Sequence, residues 1–192
     1  MKRVIIVHGW GGHPDEGWFP WLKEELESKS FNINIPEMPN KEKPEINAWV
    51  SKLSEIVGEP DEETYFLGHS IGCQTIMRYL ASLPKDSKVG GAVFVAGFFN
   101  LAVTDMDKEE HEIAKPWLEI PIDMKKLKKI CPKTIAIFSD NDPEVPLEDK
   151  EIFKEKLGSK IIVEHNRGHF TGGDDGITAL TVALKSVLEL AS

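Results

Sequence analysis

TYFLGHSIGCQTIMRYL, residues 64–80, places a lone serine between two glycines, with an apolar run before it and a helical pattern after it. TYFL reads as a strand and IGCQTIMRYLASL as a helix, so Ser70 falls at a strand-to-helix junction. Two readings fit such a junction. In one, Ser70 is a small polar residue at an ordinary turn. In the other it is a nucleophile on a tight elbow, its hydroxyl pushed outward by an unfavourable backbone that costs about 1–3 kcal/mol. Gly68 and Gly72 then remove side chains that would clash where strand and helix approach. The free N–H groups of the following helix would face a developing oxyanion. A Gly-x-Ser-x-Gly string arises by chance in about 5% of chains this long at average residue usage. The surrounding sequence therefore decides.

Outward from that strand lie further short, β-branched runs: RVIIV (3–7), FNINI (31–35), GAVFV (91–95), TIAIF (134–138) and KIIVE (160–164). Several lack polar alternation, as strands covered on both faces do. Between them run helical patterns. Ile46, Trp49, Val50, Leu53 and Val57 share one face of EINAWVSKLSEIV, and Ile177, Leu180, Leu184, Val187 and Leu188 share one face of ITALTVALKSVLEL. Gly158, just past PLEDKEIFKEKL, suits a C-terminal cap. This alternation predicts the α/β class, with about six strands in a mostly or fully parallel sheet and helices on both faces. Residues 98–130 break the rhythm. They read as a small cap-like insertion followed by a helix returning to the sheet, the kind of long connection that often works as a lid.

A chain of 192 residues suits one domain spanning 1–192. The net charge of −9 argues against nucleic acid as a partner and is compatible with a neutral or cationic substrate. The apolar run Val4–Val7 is too short for a signal peptide, and GAVFVAGFF is too short to span a bilayer. Cys73 and Cys131 have no close spacing, so neither a metal motif nor a disulfide framework is expected. A reducing cytoplasm is the expected location, and no metal or organic cofactor is expected.

A serine nucleophile needs a base, and the base an orienting acid. SDNDPEVP, after the fifth strand, offers Asp140 and Asp142. Asp142 is favoured because it lies further into a loop stiffened by Pro143 and Pro146, whereas Asp140 suits turn support. The acidic spacing resembles a calcium loop, but Val145 stands where that loop needs glycine. EHNRGHFTGGDDG, after the sixth strand, offers His165 and His169. His169 is favoured because its glycine-flanked loop lets an imidazole swing over the strand ends. His8 reads as a brace for the turn after strand one, His13 and His111 as solvated, and His69 as packing or hydrogen-bonding. Backbone N–H groups of Ile71 and of Trp10, in the glycine-rich VHGWGGHPDEGW, are the expected oxyanion donors; the bland alternative is a glycine-rich turn with a packed tryptophan. HGWGG fits neither a dinucleotide nor a phosphate-loop pattern. Phe98, Phe99 and Trp117 are candidate substrate contacts, with core or lid packing equally compatible.

Taken together, HGW, GHSIG, SDNDPEVP and RGHF, with serine, aspartate and histidine in that order, resemble the α/β-hydrolase superfamily. HGWGG, GWFPWL, MPN and VAGFF make the chain similar, over nearly its whole length, to a small serine-hydrolase family that includes bacterial members and a vertebrate retinoblastoma-binding relative. The resemblance implies a compact three-layer fold with a reduced cap, Ser70 as nucleophile, Asp142 as acid, His169 as base and Trp10 in the oxyanion hole. The expected activity is hydrolysis of a small ester-like acyl substrate, whether carboxylester, thioester or amide, through an acyl-enzyme. The alternatives are acyl transfer on the same triad, or a binding or signalling protein on the same fold.

Overall fold

Alternate residues of β1 (Arg3–Val7) point to opposite faces, and both faces are covered: Val4 and Ile6 enter one apolar cluster, Ile5 and Val7 another. This explains why the strand sequence shows no polar alternation. The computed structural model describes residues 1–102 and 106–192. In it β1 joins β2 (Asn32–Asn34), β3 (Thr64–His69), β4 (Gly91–Val95), β5 (Thr134–Ser139) and β6 (Lys160–Glu164) in one sheet of order β2-β1-β3-β4-β5-β6. Every adjacent pair is parallel. Each expected strand is present, β2 shorter and β3 longer than its sequence run.

Helices α1 (Phe19–Glu27) and α7 (Thr181–Leu190) cover one face. On the other lie α2 (Ile46–Val57), α3 (Ile71–Ser82), α5 (Met124–Ile130) and α6 (Asp149–Ile152), which runs on into a single π-helical turn at Phe153–Leu157. The layers are those of an α/β fold. Trp49 of α2 is fully buried, and its indole N–H donates to the Pro39 carbonyl; truncating such a side chain costs roughly 3–5 kcal/mol. Gly158 caps the π-helical turn with φ 73°. Helix α7 starts later than its apolar pattern suggests. Ile177 and Leu180 are buried but precede it, and the Ile177 N–H bonds to Thr171 rather than into a helix.

Between β4 and β5 the chain forms α4 (Lys108–Glu119) before α5. Asp107 and Glu110 close a capping box at the start of α4, each side chain accepting from the other's backbone N–H. The part of the 98–130 segment at 103–105 lies outside the described residues.

One topological feature positions the site. From β1 the chain moves to the sheet edge at β2, then crosses back to β3 on the other side of β1. Connections leaving β1 and β3 therefore diverge, opening a crevice at the strands' C-terminal ends, where ligands bind open α/β sheets.

Candidate active site

Ser70 occupies that crevice, directly after β3. Its backbone is at φ 54°, ψ −122°, outside the comfortable regions for a residue with a side chain. The conformation is held from two sides: its N–H donates to Val95 of β4, and its carbonyl accepts from Cys73. Both flanking glycines are required by contact. A Cβ on Gly72 would lie 2.2 Å from the Val7 carbonyl oxygen, and one on Gly68 would lie 2.7 Å from the Cys73 nitrogen.

The loops after β5 and β6 bring up two acid–histidine pairs. Asp142 contacts His169 Nδ1 at 3.0 Å and 2.9 Å through its two oxygens, and both side chains are nearly inaccessible. The same carboxylate accepts from the N–H groups of Glu144 and Val145, which fixes it within the DPEVP turn. Asp140 instead pairs with His165 Nδ1 at 2.6 Å on the surface, and also accepts from the Asn166 N–H. Burial alone would push the His169 imidazole down. The hydrogen bond and charge of Asp142, with the charges of Glu144 and Asp175, outweigh it and hold His169 above the ordinary histidine value.

Three elements hold the His169 loop. The Trp18 indole N–H, from GWFPWL, donates to the Phe170 carbonyl. Asp175 accepts from the backbone and hydroxyl of Thr171. His69 Nε2 lies 2.7 Å from the His169 carbonyl oxygen; a carbonyl only accepts, so His69 carries its proton on Nε2. Burial, then the neighbouring His169, pushes the His69 pKa down to about 3, which keeps that imidazole neutral. His8 is likewise a brace. Its Nδ1 donates to the Gly9 carbonyl while Nε2 accepts from the Met38 N–H, and Met38 belongs to MPN.

Ser70 borders a cavity of about 630 Å³ lined by Trp10, Ile71, Phe98, Leu101, Met106 and Trp117, with Glu42, Glu110 and Glu144 as its only charged lining side chains among the described residues. An adjoining cavity of about 350 Å³ runs from Ser70 along the glycines after β1 to His169. The backbone N–H groups of Trp10 and Ile71 have no hydrogen-bond partner among the described residues, and both residues line the Ser70 cavity.

Of the three candidate substrate contacts, Phe98 and Trp117 line this cavity and Phe99 does not. Phe99 instead packs on Phe153, with ring centroids 5.1 Å apart. Its N–H is held by the buried Asp149 carboxylate, which also takes both N–H groups of Asn100. Glu144 is the neighbour that sequence reasoning missed: its Oε2 lies 3.5 Å from His169 Nε2. Burial raises its carboxyl above the usual range, against the pull of His169. The DPEVP string contained it, but no sequence rule ties the second residue after an acid to the far nitrogen of a distant imidazole.

A parallel sheet with a strained serine at the β3–α3 turn, and an acid–histidine pair on later loops, defines the α/β-hydrolase class. Residues 4–186 match the family described as serine hydrolase, and the chain belongs to that family. It is 29% identical over 181 residues to the hydrolase YdeN of Bacillus subtilis, covering 94% of this chain and 92% of that protein. It is 28% identical over 171 residues to the serine hydrolase RBBP9 of Rattus norvegicus, covering 88% and 87%. The crystal structure of the B. subtilis ydeN product superposes with TM-score 0.90 at 27% identity, covering 100% of this chain and 99% of that one. Est1E of Butyrivibrio proteoclasticus, solved with ferulic acid bound, shares the fold with TM-score 0.76 at 17% identity, covering 100% and 90%.

Proposed function

We propose that this serine hydrolase cleaves small, uncharged carboxylic esters through Ser70, His169 and Asp142. The observation that carries the reading is the buried Asp142–His169 pair. With Nδ1 held by the carboxylate, the imidazole presents Nε2 to the crevice that Ser70 also borders.

Ser70 Oγ attacks the ester carbonyl and passes its proton to His169 Nε2, while Asp142 stabilises the imidazolium. The N–H groups of Trp10 and Ile71, without a partner among the described residues, receive the oxyanion. Collapse of the tetrahedral intermediate breaks the ester C–O bond, and His169 protonates the departing oxygen. Water, deprotonated by the same nitrogen, then attacks the acyl-serine, and Ser70 recovers its proton. Glu144 stands at Nε2 before this sequence starts; its half-exposed side chain turns aside as Ser70 and substrate engage the imidazole.

The larger, aromatic-lined cavity takes the acyl group, and the glycine-lined one takes the alcohol. The segment 98–130 serves as a reduced cap, since α4 contributes Glu110, Ala114 and Trp117 to the acyl side. A lining whose charges among the described residues are all carboxylates disfavours anionic acyl groups.

Fluorophosphonate labelling followed by mass spectrometry tests the nucleophile. A single adduct on Ser70 is expected, and labelling that survives Ser70→Ala would overturn the assignment. For the substrate class, kcat/KM for p-nitrophenyl butyrate is expected to exceed that for p-nitrophenyl hemisuccinate by at least about tenfold. Equal values would remove the charge argument.

A further inference from the structure

Residues 98–102 leave the end of β4 and place Phe98 and Leu101 on the wall of the Ser70 cavity. The loop belongs to no helix or strand, so its backbone must be held by other means. The Phe98 carbonyl accepts from Gln74 Nε2 at 2.7 Å, and the Ala102 N–H donates to the Glu144 carbonyl at 2.7 Å. Between those two points Phe99 and Asn100 make no backbone–backbone bond among the described residues.

One side chain fills the gap. Asp149, the first residue of α6 and 1% exposed, accepts from the Phe99 and Asn100 N–H groups through Oδ2 and from the Asn100 side chain through Oδ1. All three partners are donors, and no cation pairs with Asp149 among the described residues. A carboxyl group buried without a counter-ion is costly, and only such a set of N–H donors makes it tolerable. Those bonds hold neither the sheet nor a core helix. They hold the loop that walls the cavity.

The consequence is one of direction. Phe98 lines the Ser70 cavity while Phe99 packs on Phe153. With the Phe99 and Asn100 N–H groups aimed at α6, the loop cannot slip by one residue and exchange the two rings without leaving a buried acceptor and its donors unmet. Asp149 also belongs to the stretch that carries the acid. Asp142 accepts from the Val145 N–H, the Glu144 carbonyl holds Ala102, and the Asp149 N–H donates to the Pro146 carbonyl at 3.0 Å. The acid loop and the wall of the acyl side are therefore fastened to each other at two places.

We propose that Asp149 is a positioning residue for the acyl side, an inference that rests on the ester reading of the same site. By holding Phe99 and Asn100 it keeps Phe98 and Leu101 against the cavity, and so sets the preference for acyl groups long enough to reach that wall.

The test compares p-nitrophenyl hexanoate with p-nitrophenyl acetate, with rates expressed per Ser70 labelled by fluorophosphonate. Asp149→Ala is expected to lower the hexanoate-to-acetate ratio of kcat/KM by at least about fivefold, through a higher KM for hexanoate. A merely structural role would shrink the labelled fraction and leave that ratio in place. Asp149→Asn is expected to keep the ratio within about twofold, because one oxygen still takes both backbone N–H groups and the new amide donates to Asn100 once that side chain turns its carbonyl round. Asn100→Ala, which leaves the backbone bonds to Asp149 intact, is expected to lower the ratio about twofold and keeps the test open should Asp149→Ala not fold. Amide hydrogen exchange gives a readout without substrate: Phe99 and Asn100 are expected to exchange at least about tenfold faster in Asp149→Ala, or faster at Phe99 in Asn100→Ala, with β4 and β5 unchanged. The proposal is overturned by a ratio that stays at the wild-type value in both alanine variants, by a loss in Asp149→Asn as large as in Asp149→Ala, or by unchanged exchange at Phe99 and Asn100. A wild-type protein that turns over neither ester, with the exchange arm as expected, would remove the ester reading and leave Asp149 as the residue that holds the wall.

Discussion

Two acid–histidine pairs stand a few residues apart at the ends of β5 and β6, and by distance alone the exposed one looks stronger. Asp140 and His165 approach to 2.6 Å, with side chains 35% and 81% exposed. Asp142 and His169 approach to 2.9 Å, with side chains 3% and 6% exposed. The exposed pair is screened by water and salt and carries little directional force. The buried pair has lost its water, so the imidazole is pinned in one orientation and its far nitrogen faces the Ser70 crevice. A pair's chemical use follows from what surrounds it, not from its length.

The largest expected contrast is catalytic. Asp142→Asn and His169→Ala should each lower kcat/KM for p-nitrophenyl acetate by about 10⁴-fold. Asp140→Asn and His165→Ala should stay within about twofold. A large loss at His165 with His169 retained would reverse the comparison.

Stability should separate the pairs next. Asp142→Ala strips the partner from His169 Nδ1 and from two backbone N–H groups, and should cost about 2 kcal/mol in urea unfolding. Asp140→Ala should move the midpoint much less, because the bonds it loses are exposed to water.

A pH profile sharpens the contrast further. The proposed base, His169, must be neutral to accept a proton, and it is held above its ordinary value. Activity should therefore fall as pH drops through that raised value. Glu144→Gln removes one of the carboxylates facing the imidazole, while Asp142, Asp175 and neutral His69 remain. The acid limb should then move to lower pH, read from kcat/KM against pH. A limb that stays in place would show that Glu144 does not act on His169.

The smallest effect belongs to the exposed pair. His165 should titrate above the ordinary 6.5, held up by its hydrogen bond to Asp140, and should return towards 6.5 in Asp140→Asn when followed by NMR. Because the folded value is raised, the slight stabilisation is present below 6.5 and lost as pH rises through the folded value.

Much of the fold was legible because strand burial leaves a mark on residue type. VIIV (4–7), AVFV (92–95) and IAIF (135–138) are apolar throughout, and both faces of each are covered. Legibility failed where side-chain direction depends on distant partners. Phe98 and Phe99 are chemically identical neighbours, yet one lines the Ser70 cavity and the other packs on Phe153. Ile177 and Leu180 continue the apolar pattern of α7, but a backbone bond to Thr171 holds Ile177 outside the helix and Leu180 serves as its N-cap. GWFPWL and MPN were recognisable only as family marks; in the structure Trp18 holds the His169 loop and Met38 braces His8.

The sequence alone determined the alternation of strands and helices, the glycines that make the Ser70 turn possible, and a short list of acids and bases in a workable order. Those are local properties, written in residue type and spacing. Tertiary structure decided which aspartate met which histidine and that Glu144 faces His169 Nε2. Each depends on burial and on approach between segments far apart in the chain. The energy of a charge or hydrogen bond is set by that surrounding medium, which no local stretch of sequence contains.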